Sequence, residues 1–495
     1  MLDLRINAEH PLIKFNRQLP VFNWHYPFDR EEDRTEDRLT PYLSFPKMQV
    51  RRRSVYIHIP FCETICNFCP FSHDMYRPGS GVAEYLRALI GEINLKKDFI
   101  GRCKVDAIFV GGGTPSLLSP GEIELLGEAI HRNFDLEGLK EFTFEVEVKS
   151  ASQDKLQAMR SIGVNRVSFG AQTFSPKYRA LYHLDASQRQ ITDTAALLNS
   201  LFPYTNVDLL YGTAGQSADE LRADVEAAVR LQTTTIDVYP INNLTAPRGM
   251  HLATARAGLD VLPESTRVQF RILLGRLFQD LGYRPISGYG FAVAGNARTN
   301  PVDPVQHQPN FLYHDMVYGY QDDEIIGYGS SAISQTPGFN MYNFARRKAY
   351  IDEVLNNHAL PHLTFGPIPA PERGIVSFPY RGVLEKPRVA WDRVPDETWE
   401  ALQEAIAAEL VLDQGDRYVL TEAGLLFYVN LMYYLMPSPG KRCVSDQIER
   451  QERSGRTTGN TDLTEWACST LPLVAISRPA GAQARSGGGR SALVD

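Results

Sequence analysis

Short apolar runs alternate with amphipathic segments along the first half of this 495-residue chain. The apolar runs have the length of strands and are VYIHIPF (55–61), AIFVGGG (107–113), FTFEVEV (142–148), RVSFGAQTF (166–174), TNVDLLYG (205–212) and TIDVYPI (235–241). Helical periodicity lies between them, in AEYLRALIGEINLKKDF (83–99), PGEIELLGEAIHRNF (120–134) and DKLQAMRSIG (154–163). Strands that alternate with helices predict parallel βαβ units, and six or more in a row predict an open or closed α/β barrel.

The pattern changes on both sides of this region. Residues 1–50 are polar and aromatic and are expected to form an N-terminal arm or cap. The segment RYVLTEAGLLF (417–427) looks like the wing and following helix of a small winged-helix domain. We therefore predict a barrel core (51–250), a region that completes the barrel and covers the substrate (251–385), a small C-terminal α+β domain (386–436) and a disordered tail rich in Gly, Ser and Arg (437–495).

Composition excludes several classes of protein. The apolar fraction of 43% and the charged fraction of 22% are ordinary for a soluble globular chain. The net charge of −7 argues against a nucleic-acid binder, whose surface is usually basic. No run approaches the ~18–20 apolar residues of a membrane span, and the N-terminus lacks the succession of a signal peptide. The expectation is a cytoplasmic protein without nucleic-acid or membrane partners.

Three of the six cysteines lie within eight residues, directly after the first strand run. They form the array Cys62-x3-Cys66-x2-Cys69, whereas Cys103, Cys443 and Cys468 are scattered. Clustered thiolates in such a chain indicate a metal site, and they suit an iron–sulfur cluster. Three ligands leave one iron of a 4Fe-4S cube open. A structural zinc site would need a fourth ligand, for which His58 and His73 are the candidates.

These residues resemble the radical S-adenosylmethionine (SAM) superfamily, and within it the oxygen-independent coproporphyrinogen III dehydrogenase (HemN-type) family. The resemblance covers roughly residues 50–435. It rests on the Cys array together with YIHIPFC (56–62), GGGTP (111–115), Glu145, Gln172, Asp208, Gly212 and IGYGSSAIS (326–334), in that order. The implied fold is α/β, a partial (β/α) TIM-like radical SAM barrel with an N-terminal arm and a small winged-helix-like C-terminal domain.

The resemblance also implies the cofactors and the residues that hold them. A 4Fe-4S cluster on Cys62, Cys66 and Cys69 would bind and reductively cleave SAM, giving methionine and a 5′-deoxyadenosyl radical. A reductant such as a flavodoxin or ferredoxin is the implied protein partner. The cofactor-binding residues carried over are Tyr56, Phe68, Gly112, Gly113, Thr114, Glu145, Gln172 and Asp208. The glycines would let the backbone approach the cofactor's ammonium group.

Some positions depart from the porphyrin enzyme of that family. The porphyrin enzyme has a fourth cysteine in a Cys-x-Cys sequence, whereas this chain has Cys69-Pro70-Phe71, the form of the haem-chaperone and methyltransferase relatives. The N-terminal Arg-Tyr-Thr-Ser-Tyr-Pro element of the porphyrin enzyme has no counterpart in this chain beyond His25-Tyr26-Pro27. In the family, an arginine about a dozen residues after Gln172 helps to bind the cofactor carboxylate. This chain has Leu184 at that position, and Arg179 is the candidate to take over its role.

Three functional classes remain open. These departures and the Gly/Arg/Ser tail favour a class C radical methyltransferase or methylene transferase. Such an enzyme would use two SAM molecules to methylate or cyclopropanate an sp2 carbon of a small natural-product intermediate, with or without a separate methyltransferase. The second class acts on tetrapyrroles, and the third is a haem carrier. Tyr289, Tyr313 and His314 are the candidate catalytic residues, with Asn310 and Tyr318 as further candidate substrate contacts.

Overall fold

The computed structural model describes residues 26–44, 50–241, 248–293 and 311–453. In the first half of the chain the elements are β1 (Arg34–Thr35), α1 (Thr40–Ser44), β2 (Arg52–Ile59), β3 (Phe61–Cys62), β4 (Asp74–Met75), α2 (Val82–Ile100), β5 (Ala107–Gly112), α3 (Pro120–Asn133), β6 (Glu141–Val146), α4 (Gln153–Ser161), β7 (Arg166–Gln172), α5 (Pro176–Tyr182), α6 (Gln188–Leu201), β8 (Tyr204–Tyr211), α7 (Ala218–Arg230) and β9 (Thr235–Pro240). Every predicted strand run and helix of this half is present.

The second half is more mixed. Its elements are α8 (Arg248–Arg256), α9 (Glu264–Asp280), β10 (Tyr283–Pro285), β11 (Gly290–Val293), α10 (Leu312–Val317), β12 (Asp323–Tyr328), β13 (Ile333–Thr336), β14 (Phe339–Asn343), α11 (Arg347–Leu355), β15 (His362–Phe365), α12 (Arg373–Arg381), β16 (Val383–Glu385), α13 (Asp396–Ala407), β17 (Val411–Asp413), β18 (Arg417–Leu420), α14 (Glu422–Leu426), α15 (Tyr428–Leu435) and α16 (Ser438–Arg453).

One large sheet organises the molecule, in the order β1-β15-β14-β13-β12-β2-β5-β6-β7-β8-β9-β11-β10. The seven strands from β12 to β9 are parallel to their neighbours, which makes the predicted partial α/β barrel. Antiparallel strands extend it at both ends. The carboxyl ends of the parallel strands meet at one edge, where the chemistry of such sheets is found.

Local sequence explains why the helices begin where they do. Helices α3, α6 and α7 each start after a serine, at Ser119, Ser187 and Ser217, whose hydroxyl accepts a hydrogen bond from the third helical residue. In each case the side chain of that third residue accepts a hydrogen bond from the serine backbone N–H. Reciprocal capping of this kind stabilises a helix start by about 1 kcal/mol. The apolar faces of these helices pack against the outer side of the barrel strands.

The described parts of the N-terminal arm and of the C-terminal region pack onto the barrel. The arm contributes β1, which pairs with β15, and Tyr26 is buried against the C-terminal helices. The C-terminal domain holds a three-stranded antiparallel sheet, β16-β18-β17, packed on α13 and α15. Composition predicts disorder from residue 437, but the structure has helix α16 there, because Val444 is fully buried beside Tyr26 and Met436. Within the described ranges, no helix is long and apolar enough to cross a membrane.

Candidate active site

The half-buried residues of the barrel strands form one accessible surface on the inner face of the barrel, called the inner wall below. Strands β2 and β5 to β9 are buried almost throughout, and beyond their first residues the half-buried positions are Tyr56, Gly112, Glu145, Gly170, Gln172, Asp208, Tyr239 and Pro240. Five of these eight are predicted cofactor-binding residues. The structure therefore brings Tyr56, Gly112, Glu145, Gln172 and Asp208 from five different strands onto one surface that a ligand can reach.

The three clustered cysteines lie on a loop that is fastened at several points. Cys62 begins it in β3, which pairs with β4 at Met75. Asn67 donates its side-chain amide to the Leu181 carbonyl at 2.8 Å. The Phe68 ring packs edge-on against Tyr182, with 5.2 Å between the ring centroids. Phe68 thus anchors the loop to α5, which is a different role from the predicted contact with the cofactor.

All three thiols are free and partly accessible. Burial raises the pKa of Cys66 to about 12 and that of Cys69 to about 11, with the neighbouring thiols adding to the effect at Cys66. Thr114 Oγ1 lies 3.6 Å from the Cys62 sulfur. No set of three or more His, Cys, Asp or Glu side chains in the described ranges is gathered closely enough to hold a metal ion. Cluster binding therefore requires the sulfurs to draw together and to lose their protons.

His58 contacts this loop through its imidazole ring. Its Nε2 lies 3.0 Å from the Ser72 carbonyl, and a carbonyl only accepts, so Nε2 carries the proton. Its Nδ1 must then accept the hydrogen bond from the Tyr56 hydroxyl, at 2.8 Å. Burial lowers the pKa of His58 to about 4, so the ring is neutral at pH 7. Since both nitrogens are engaged, His58 does not offer the fourth ligand that a zinc site needs.

The glycine run and Glu145 form a cradle beside the loop. The Gly112 N–H donates to Glu145 Oε2 at 3.1 Å. A Cβ on Gly111 would lie 2.5 Å from that oxygen, and one on Gly113 would lie 2.7 Å from the Phe61 carbonyl oxygen. Side chains other than hydrogen would therefore close the cradle. Burial raises the pKa of Glu145 to about 7, although this bond and the nearby Arg166 oppose the rise.

Gln172 and Asp208 follow on the next strands. Gln172 sits at a bulge between β7 and β8 with a φ of 64°, which folds its side chain back over Gly170. Asp208 accepts a hydrogen bond from the Asn206 amide at 2.7 Å. It is paired in register with Asp237 on β9. Burial, and then the charges of Asp237 and Glu145, raise the pKa of Asp208.

Arg179 is the predicted substitute for the arginine that Leu184 replaces, and the structure places it among backbone carbonyls. It is buried, and its guanidinium donates to the carbonyls of Ala171, Thr173 and Ala186. These bonds use three of its five N–H donors, so its role toward a ligand carboxylate stays a prediction. Leu184 itself packs in the apolar cluster that contains Tyr182 and Phe68.

The candidate catalytic residues lie on the same inner face. Tyr313, on α10, stacks on Phe109 at 4.8 Å and on Tyr56 at 5.9 Å between ring centroids. His314 Nδ1 lies 2.9 Å from the hydroxyls of both Tyr289 and Tyr380. Tyr289, Tyr313 and His314 are therefore close together, while Asn310 lies outside the described residues. Tyr318 is buried against Tyr380 at 3.9 Å between ring centroids.

Several residues of this site were not identified from the sequence. Arg166, Asp237 and Tyr380 were not predicted at all, and His58 was considered only as a zinc ligand. Side chains alternate between the two faces of a strand, and this alternation would have indicated two of these residues. Asp237 occupies the position in TIDVYPI that faces the same way as Tyr239, and His58 lies two residues from Tyr56. A charged residue inside an apolar strand run is a reasonable marker of a functional inner face.

The residues present fit the implied cofactors. The donor set is three thiols on one anchored loop, which suits iron–sulfur ligation. The glycine cradle and the half-buried carboxyls of Glu145 and Asp208 suit a ligand that carries positive charge. Tyr56, Gly113 and Thr114 lie within this frame, with Gly113 N bonded to Ile59 O at 2.8 Å and Thr114 N to Phe61 O at 2.7 Å.

Comparison with known proteins agrees with this site. The Radical SAM superfamily profile matches residues 56–228. The heme chaperone HemW of Bacillus subtilis is 28% identical over 306 residues, which is 61% of this chain and 76% of the relative. The anaerobic coproporphyrinogen III oxidase 1 of Cereibacter sphaeroides is 27% identical over 312 residues, which is 61% of this chain and 66% of the relative. The solved structure of Escherichia coli coproporphyrinogen III oxidase (HemN) superposes with a TM-score of 0.69 at 22% identity, over 84% of this chain and 96% of HemN.

These relatives contradict the prediction of methyl or methylene transfer to a natural product. The similar proteins are coproporphyrinogen oxidases and haem chaperones, so the predicted enzyme class is wrong beyond its radical SAM character. The prediction relied on one position, Phe71, on a missing N-terminal element and on tail composition. Residues 56–228 match the Radical SAM superfamily, which implies a 4Fe-4S cluster and SAM, and the chain is similar in sequence and fold to the HemN-type coproporphyrinogen oxidases and in sequence to the haem chaperone HemW.

Proposed function

We propose that this chain is an oxygen-independent radical enzyme that acts on a tetrapyrrole, by oxidative decarboxylation of propionate side chains. The observation that carries the proposal is the similarity to coproporphyrinogen III oxidases over 61% of the chain. The Radical SAM superfamily profile, which matches residues 56–228, spans the inner-wall residues from Tyr56 to Asp208 that the sequence resemblance singles out. When bound, the cluster and SAM supply a 5′-deoxyadenosyl radical that abstracts hydrogen.

The inner wall offers this substrate an aromatic surface. Tyr56, Tyr239, Phe311, Tyr313 and His314 are half-buried, so each still presents ring surface to accessible space. Aromatic side chains bind large flat ligands through extensive apolar contact and edge or offset stacking. They also exclude water from the place where a reactive carbon radical would form. The chain's own contribution is thus to hold the macrocycle beside Glu145 and Asp208 and to keep the site dry.

Turnover of coproporphyrinogen III tests the proposal directly. Anaerobic, cluster-loaded protein with a one-electron reductant such as flavodoxin is mixed with SAM and with substrate labelled at the propionate carboxyls. We expect labelled carbon dioxide and 5′-deoxyadenosine in equal amounts, because each propionate decarboxylated uses one SAM. A porphyrinogen with ethyl groups in place of propionates is the matched control and should give no carbon dioxide. Labelled carbon dioxide at the control level would contradict the assignment.

A haem carrier is the second candidate. It is favoured by the match to 76% of the Bacillus subtilis HemW sequence and by Cys69-Pro70-Phe71, the form of the chaperone relatives. A carrier would bind haem in a stable complex visible by its absorption band and would release no carbon dioxide. The same protein preparation can be used for both measurements, so the two functions are separated within one experiment.

Glu145 provides a test of the cofactor site that does not depend on the substrate. Glu145→Gln keeps the size and the bond from Gly112 but removes the charge. Charged hydrogen bonds contribute ~1.5–3 kcal/mol, so SAM affinity should fall roughly ten- to a hundredfold while iron content is unchanged. Equilibrium dialysis on cluster-loaded protein measures both. Glu147→Gln is the control, since Glu147 accepts from Lys149 N near the surface. Equal affinity of wild type and Glu145→Gln would leave Glu145 without a role in binding.

A further inference from the structure

Arg166 is a buried cation with unused donors beneath the inner wall. It is the first residue of β7 and is only 2% exposed. Its guanidinium carbon lies 3.9 Å from the centroid of the Phe311 ring. Neither Nη1 nor Nη2 has a hydrogen-bond partner among the described residues. A buried guanidinium normally has its donors satisfied, because each unpaired one costs ~1–3 kcal/mol. Arg166 therefore calls for an explanation beyond packing.

Four carboxyl groups on β6, β8 and β9 interact electrostatically with this cation. They belong to Glu141 and Glu145 on β6, Asp208 on β8 and Asp237 on β9. Burial raises the pKa of each, and the charge of Arg166 opposes that rise at each. The same cation thus acts on all four groups. Without it, the four carboxyls in a nonpolar enclosure would be driven further toward their neutral form.

The four carboxyls are not equivalent. Glu141 accepts backbone bonds from Leu312 at 2.7 Å and from Tyr313 at 3.3 Å, so it is occupied in holding the start of α10. Glu145 and Asp208 are half-buried and face the accessible wall. Ser168, two residues after Arg166, pairs in register with Glu145 and lies 3.5 Å from Asp208. Arg166 therefore lies two residues along β7, roughly 7 Å, from the position paired with Glu145, and four residues, roughly 13 Å, from Gly170, which pairs with Asp208.

We propose that Arg166 is a positioning residue of the cofactor site, which favours the charged forms of Glu145 and Asp208 and orients them toward a positively charged ligand. SAM is such a ligand, since its sulfonium gives it a net positive charge that S-adenosylhomocysteine lacks. Arginine suits this position because its planar guanidinium stacks on an aromatic ring, here that of Phe311. The inference rests on the cofactor assignment and not on the tetrapyrrole, and no tetrapyrrole enters its test.

Arg166→Met removes the charge and keeps an apolar stem of similar length. Binding of SAM and of S-adenosylhomocysteine is measured separately by equilibrium dialysis on cluster-loaded protein, together with iron content and melting temperature. We expect SAM to bind about tenfold more weakly, as for the loss of one charged interaction. The thioether should lose less than about threefold, because it has no sulfonium for the carboxyls to attract. The preference for SAM over its neutral product therefore falls, at unchanged iron content.

Two further variants separate this role from a structural one. Arg166→Lys keeps a charge without the planar fork and should retain most of the preference for SAM. Arg373→Met is the matched control, because Arg373 is equally buried but donates to the carbonyls of Asp323, Met316 and Val317 outside the wall. It should lower the melting temperature and leave the preference intact. Equal weakening of both ligands by Arg166→Met, or no weakening, would overturn the proposal. If Arg166→Met does not fold, Arg166→Gln is judged by the same ratio.

Discussion

Replacing Cys62, Cys66 and Cys69 together by alanine will abolish iron binding and SAM cleavage. The three thiols are the only cysteines on the loop after β2, and a cluster of this kind needs thiolate ligands. Wild-type protein reconstituted without oxygen should carry about four irons per chain. The triple variant should carry none and should lack the brown absorption. Iron and sulfide analysis gives the first result, and chromatography of 5′-deoxyadenosine gives the second.

Cys103→Ala is the control for this experiment. Cys103 is a buried thiol before β5, outside the cluster loop, so its replacement should leave the iron content unchanged. The loop is held by Asn67 and Phe68 rather than by its sulfurs, and the triple variant should therefore remain folded. Retention of iron by the triple variant would falsify the cluster assignment. Stoichiometric zinc in the wild type would instead support the structural zinc site.

Lys96→Met is expected to cause the largest loss of stability of any single substitution considered. Lys96 and Glu92 form an ion pair at 2.6 Å on α2, and both side chains are completely buried. Lys96 also donates to the Gly327 carbonyl at 2.6 Å, and Glu92 accepts from Gly329 N at 2.8 Å. Removing one partner leaves an uncompensated buried charge, which costs ~3–5 kcal/mol. Urea unfolding followed by circular dichroism measures the change.

A double variant isolates the cause of that loss. Glu92→Gln combined with Lys96→Met removes both charges, so it should recover a large part of the stability that Lys96→Met loses. Lys97→Met, one residue along the same helix and only half-buried, is the control and should change the free energy of unfolding by less than ~0.5 kcal/mol. A Lys96→Met variant as stable as Lys97→Met would mean that the buried pair contributes little to the fold.

The barrel could be predicted because its signal is local. The run TIDVYPI and strand β9, Thr235–Pro240, differ by one residue at the end. Buried parallel strands are continuous apolar runs, and the serine caps mark the helix starts between them. The positions of Glu145, Gln172 and Asp208 on one wall followed from their place near the ends of these strands. Their roles remain predictions that the binding experiments will test.

The residues that sequence reasoning missed depend on tertiary contacts. Arg166 and the Lys96–Glu92 pair are buried charges, which pattern analysis assigns to the surface. Only the register of β6, β7 and β8 shows that Arg166 lies on the same strand as Ser168 and Gly170, which pair with Glu145 and Asp208. Helix α16 was missed for a similar reason, since Val444 becomes a core residue only when Tyr26 lies beside it. The local sequence does not indicate any of these tertiary contacts.

The parallel pairing of β2 with β12 has a consequence for how the chain is made. One edge of β2 meets β5 soon after synthesis, but its other neighbour begins at Asp323, about 260 residues later. At the usual ribosomal rates of ~5–20 residues per second, that edge stays open for about 13–50 seconds. An open strand edge is a template for pairing with other chains. The nascent barrel is therefore expected to need a chaperone until the ribosome has passed residue 328, where β12 ends.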